Sequence, residues 1–158
     1  MRYQQVYLAS EFASVSGPRN ITQISFRQDD TGVTFDSNIG NIQINLSTTT
    51  KTPGTLSTTF TDNIDGGGDD TVVFTGALAL SSTATGPAPK NFDIVIDLDV
   101  PFLYDPSGGH LLMDVRNFTG GSTTPFDARS FVTVGPSPTS ARVWGTVVDT
   151  TGDTDAGM

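Results

Sequence analysis

A chain with one histidine and no cysteine has few ways to supply a base near neutral pH, so acid–base chemistry in this protein must run through His110. Ser107 precedes it across a glycine turn, and Asp105 and Asp114 are close in sequence. These four side chains could provide a nucleophile, a base and an orienting carboxylate for attack on an ester or lactone, with Ser107 needed only in a covalent route. No GxSxG elbow surrounds Ser107, however, no oxyanion donor can be named, and loop residues that merely end a hairpin are the commoner case. A second constellation is Asp62-Asn63-Ile64-Asp65-Gly66-Gly67-Gly68-Asp69-Asp70. Its oxygen donors, Asp62, Asn63, Asp65, Asp69 and Asp70, surround glycines that let backbone carbonyls turn inward, and calcium takes about six to eight such oxygens. The spacing follows neither the EF-hand loop nor a repeated calcium motif, so a solvated acidic turn is an equal alternative. Asp93, Asp97 and Asp99 share one strand face, where water is the default partner. No spacing identifies two facing carboxylates of a glycosidase pair.

The totals narrow the partners. The net charge of -9 repels phosphate backbones and anionic lipid, which argues against nucleic acid and membrane surfaces. The missing cysteines exclude disulfides, thiolate metal sites and a cysteine nucleophile, and Rossmann, P-loop, zinc and kinase signatures are lacking. No run approaches the roughly 20 apolar residues of a membrane span. Met1 opens directly into strand-like sequence with no basic n-region or apolar h-region, as expected of a mature fragment or an internal start. The oligomeric state is left open.

Positioning falls to strands. Of 17 acidic residues only Glu11 is a glutamate, and aspartate favours turns and caps over helix surfaces. The run from Lys90 to Phe118 alternates on both sides of Asp105-Pro106-Ser107-Gly108-Gly109 and predicts one long hairpin. Further strands are expected over 3–8, 21–28, 33–35, 41–47, 71–75, 77–81, 129–134 and 141–148, the two last forming a final hairpin. In the second of these Thr22, Ile24 and Phe26 share a face, and the fifth and sixth turn at Gly76. Leu56, Phe60 and Ile64 allow one short helix that closes an end of the sandwich. Phe92, Ile94, Ile96, Leu98, Ile42, Ile44, Leu46 and Phe74 form the expected core. Trp144 belongs at the core rim or under Arg142. Together these predict an all-β, jelly-roll-like, two-sheet antiparallel sandwich over residues 1–150, followed by a disordered acidic tail over 151–158.

RYQQVY, ITQISFR, NIQINLSTT, TFTDNIDG, DTVVFTGALALSS and NFDIVIDLDVPFLYDPSGGHLLMDVRNFTGG together resemble an uncharacterised domain of bacterial secreted proteins that usually carry a PEP-CTERM sorting signal. The resemblance covers about residues 2–150. It implies an extracellular, surface or matrix setting and transfers no catalytic residue. Two expectations follow. The first is a secreted β-sandwich module, stabilised by calcium, that binds glycan or matrix components through loops at one end; the second is a small calcium-dependent hydrolase of esters or lactones.

Overall fold

The computed structural model describes residues 1–30, 32–65, 67–120 and 140–154. They form strands β1 (Arg2–Tyr7), β2 (Arg19–Phe26), β3 (Phe35–Thr49), β4 (Thr71–Ser82), β5 (Ile94–Tyr104), β6 (His110–Asn117), β7 (Ser140–Gly145) and β8 (Asp153–Thr154). Two single 3₁₀ turns, Ala9–Phe12 and Phe60–Asn63, are the helical elements among the described residues. The fold is all-β, as expected, with two antiparallel sheets. The larger runs β4-β3-β6-β1-β7-β8 and the smaller is the pair β2-β5. No helix among the described residues is long and apolar enough to cross a membrane.

Alternation sets the faces. Ile42, Ile44 and Leu46 of β3 and Leu111 and Met113 of β6 point from the large sheet toward Ile94, Ile96, Phe102 and Tyr104 of β5, and these buried side chains make the main core. The opposite face of the large sheet is covered too. There Val6, Leu112 and Ala141 pack under Leu56 and Ile64 of the segment between β3 and β4, whose 3₁₀ turn takes the place of the expected short helix.

Several expectations are corrected. β5 and β6 are not a hairpin: β5 pairs with β2, whereas β6 pairs with β1 and β3. The turn at 105–109 therefore carries the chain from one sheet to the other, and the two apolar faces meet across the core. Residues 71–82 are one strand, in which Gly76 adopts a φ of +130° opposite the bulge between Ile39 and Ile42. The separate 33–35 and 41–47 strands merge into β3. Slippage beyond Ile21 turns Thr22 outward and puts Ile21 with Ile24 and Phe26 against the core. Phe92 lies ahead of β5 and is 61% exposed, with Arg27 over its ring, while Val73 is fully buried because the ladder shifts beside it. Residues 151–154 are not a loose tail: Gly152 N–H donates to Thr58 O at 2.8 Å and β8 pairs with β7. The predicted strand 129–134 lies outside the described residues, as do residues 155–158.

The sheet-to-sheet turn depends on Gly109. Its φ is +149°, a Cβ placed there would sit 2.8 Å from Thr49 O, and its own carbonyl accepts the Tyr104 hydroxyl at 2.9 Å. Gly109→Ala is expected to destabilise the fold by at least about 2 kcal/mol, and Gly108→Ala, where the nearest atom is 3.4 Å away, by under about 1 kcal/mol. Urea unfolding of the two variants compares them directly, and equal midpoints would contradict this role for Gly109.

Candidate functional site

Of the four side chains singled out for nucleophilic chemistry, Ser107 and Asp105 meet, while His110 and Asp114 bond elsewhere. Ser107 is exposed in the turn after β5, and both its N–H and its hydroxyl donate to Asp105 Oδ1, at 2.9 and 2.8 Å. These bonds, the backbone one foremost, hold the Asp105 carboxyl below the usual carboxylate range. The Ser107 hydroxyl proton is thus directed at a carboxylate, not at an imidazole. His110, half-buried at the start of β6, accepts the Ala9 N–H at Nδ1 (3.0 Å), so that lone pair is already in use. Asp114 is buried on the far face of β6, 2.6 Å from Arg2 Nη2, with Gln4 Nε2 at 3.0 Å and Arg116 Nη2 at 3.2 Å. It anchors a polar layer in which Gln4 also donates to Phe60 O, Asn63 donates to Gln4, and the Arg2 guanidinium lies 4.4 Å from the Phe60 ring centroid.

The acidic loop is likewise committed elsewhere. Asp69 accepts the Thr48 N–H at 2.9 Å, Asp65 accepts the Thr50 N–H and the Thr49 and Thr50 hydroxyls, and Asp70 accepts from Asn45. Asp62 takes the Ser57 hydroxyl, and buried Asn63 bridges Ser57 to Gln4. Among the described residues no three carboxylate or imidazole side chains converge as a metal-binding group. Burial raises the Asp65 carboxyl, but bonds from the Thr50 hydroxyl, the Thr50 N–H and the Thr49 hydroxyl, with Lys51, outweigh it and hold it below the usual range.

A site that the sequence did not disclose lies between the sheets. The smaller sheet is stitched to the larger at the β4 edge, where Asp93 takes the Ser82 hydroxyl and the Thr83 N–H and Asp99 takes the Thr75 N–H. Away from that edge β2 is the outer strand of the pair among the described residues. There a cleft of about 760 Å³ opens. Ile21, Ile24 and Phe26 of β2, with Gln23 and Ser25 between them, form one wall. The wall on the large sheet changes strand by strand. It is mostly aliphatic on β4 (Leu78, Leu80), β3 (Ile42, Ile44, Leu46) and β6 (Leu111, Met113, Val115, with Asn117 at its end), then becomes Tyr3, Gln5 and Tyr7 on β1, beside Met1, and Ser140 and Arg142 on β7. The Tyr3 hydroxyl donates to the Gln5 side chain, and burial, with Tyr3 adding, pushes the Tyr7 hydroxyl up. Trp144, 44% exposed, pairs with Tyr3 one step further along. The signal was the alternation Tyr3, Gln5, Tyr7, which reads equally as an ordinary half-polar strand.

No protein-family model, curated protein or solved structure matches the chain significantly.

Two predictions separate structure from catalysis here. Asp114→Ala strands a buried guanidinium and is expected to destabilise the fold by about 3–5 kcal/mol, whereas Ser107→Ala stays within about 1 kcal/mol. Denaturant melts of the two variants measure this. For Asp65 the folded carboxyl titrates below its unfolded value, so its stabilisation is complete above about pH 4 and is lost as pH falls through the lowered folded value. Asp65→Asn should therefore lower the melting temperature at neutral pH and flatten its fall below about pH 4, with or without calcium; rescue of the native protein by calcium after chelation would instead mark the loop as a metal site.

Proposed function

We propose that this chain is a non-catalytic binding module whose ligand occupies the cleft between the two sheets. The observation that carries the reading is the cleft itself: about 760 Å³, walled by Ile24, Phe26, Ile44 and Met113 and edged by Tyr3, Gln5 and Arg142. Small-molecule sites are typically concave, largely apolar and about 300–1,000 Å³, with a few polar groups that fix orientation. The loops expected to bind glycan or matrix components offer less, because their aspartates already accept hydrogen bonds from β3. A hydrolase is disfavoured by the same kind of accounting. A general base needs a free lone pair within reach of the nucleophile, and the Ser107 proton points at Asp105 while His110 Nδ1 is held by Ala9. The resemblance to secreted PEP-CTERM proteins supports an extracellular or cell-surface setting for the module.

Uptake of Nile red, a neutral apolar dye that brightens in dry surroundings, tests the reading. Saturable enhancement at one site is expected under conditions where near-ultraviolet circular dichroism reports fixed packing, which separates a built cleft from a loosened core. Ile24→Trp, which fills the cleft from β2, should weaken uptake by about ten-fold or more. Absence of saturable uptake by the native protein would overturn the reading and mean that the cleft is closed by the chain itself.

A further inference from the structure

We infer that the cleft-facing side of β1 and β7 is a carbohydrate subsite, where Trp144 and Tyr3 stack a pyranose ring and Gln5 and Arg142 bond its hydroxyls; this rests on the binding reading above and names its ligand. On these two strands the usual order of burial is inverted. Gln4 and Val143 are fully buried on the outer face of the sheet, whereas on the cleft side Tyr3 and Gln5 are half-buried and Arg142 and Trp144 are exposed. Register gathers the last four into one patch, because Tyr3 is directly opposite Trp144 and Gln5 is directly opposite Arg142. Opposed side chains of an antiparallel pair start about 5 Å apart and the next on the same face start about 7 Å further along, which gives the patch about the footprint of one sugar ring. It stands on paired strands, not on a loop, and its geometry is correspondingly fixed.

Gln5 states what the occupant must bring. The Tyr3 hydroxyl donates to Gln5 Oε1 and so fixes the amide, whose Nε2 has no acceptor among the described residues. A ligand on this face therefore supplies an acceptor to Nε2 and a flat apolar surface to the rings of Tyr3 and Trp144. A pyranose with equatorial substituents does both, since C–H groups cover its two faces and hydroxyls stand around its rim. A saturated chain would dry the Gln5 amide and return no hydrogen bond. A peptide strand seeks the N–H and C=O groups of a sheet edge, which a sheet face does not offer. A nucleotide would bring its phosphates to a chain of net charge -9.

Trp144 is the only tryptophan, so its emission reports this face directly. Titration with cellohexaose, a soluble uncharged chain of equatorially linked pyranoses, is expected to shift that emission saturably, with half-saturation below about 1 mM. Hexaethylene glycol, which offers acceptors without a ring, should require at least about ten-fold more. Gln5→Leu removes the amide donor and Arg142→Met the guanidinium, and each should raise half-saturation by cellohexaose about five-fold or more. Circular dichroism melting confirms that each variant is folded. No saturable shift with cellohexaose, an equal response to hexaethylene glycol, or an unchanged half-saturation in both folded variants would overturn the inference, while Nile red uptake by the same protein would keep the binding reading intact. Failure of both cellohexaose and Nile red would remove both.

Discussion

Strand β3 outruns its neighbour. Its ladder with β4 ends at the pair Leu46 and Thr71, yet the strand continues to Thr49, and the N–H groups of Thr48 and Thr50 on that side have no strand to donate to. An unpaired N–H costs about 1–3 kcal/mol where water cannot reach it, as at buried Thr48, so the strand end is held better when something supplies an acceptor. Asp69 and Asp65 do so, each carboxylate standing where the next β4 carbonyl would have been. The device recurs with Asp93 at Thr83, Asp99 at Thr75, Asp105 at Ser107 and Asp149 at Thr146. A carboxylate on a single methylene reaches a nearby N–H with little entropy to lose, whereas glutamate would have to fix one more torsion. That fits a chain whose only glutamate is Glu11, and it gives the aspartates of the acidic loop a structural role.

The second constraint is the polar layer on the outer face of the large sheet. Arg2, Gln4 and Asp114 occupy strand positions that alternation assigns to solvent, and all three are buried. Burying an ion pair stabilises little by itself, because desolvation offsets most of the attraction. Its effect here is to fix geometry. Asp114 holds Arg2 flat beneath Phe60, Gln4 holds the Phe60 carbonyl, and Asn63 ties Gln4 to Ser57, so the segment between β3 and β4 has one way to lie. The tail adds to that seat, since Phe60 N–H donates to Thr150 O and a Cβ at Gly152 would meet the Phe60 ring at 2.8 Å.

What could be read from the sequence follows from what alternation encodes. A period of two states which side chains of a strand face a core, and it identified Ile42, Ile44, Leu46, Ile94 and Ile96 correctly. It does not state whether two strands sharing a core lie side by side or face each other across it, and for that reason β5 and β6 read as a hairpin. Nor does it register ladder slips. Pro101, which has no N–H to donate, interrupts a stretch of β5 where five residue steps oppose two of β2, between the pairs Ile21–Phe102 and Gln23–Asp97. The candidate site was legible in its components and not in its assembly: His110, Ser107 and Asp114 are chemically competent residues separated by the faces and ends of one strand. Tyr3, Gln5 and Tyr7 gave no warning, because a half-polar strand at a sheet's open side and a half-polar strand lining a cleft have the same pattern.

The unequal division of the strands among the described residues accounts for the space between the sheets. Among the described residues two strands face six, and the β2–β5 pair is tied to the β4 edge by Asp93 and Asp99. At the other end of the pair, Phe12 packs edge-to-face on Tyr104 with centroids 5.0 Å apart, fixing the corner where β5 turns toward β6. Most of the aliphatic wall is already out of water, Ile44 and Leu46 at 2% and Met113 at 4% exposure, so little drives the gap to close at about 25 cal/mol per Å². Closing it by moving β2 inward would swing β5 away from the β4 edge and leave Thr75 and Thr83 N–H groups without their carboxylates. The aspartates that terminate the strands thus also set the width of the space between the sheets.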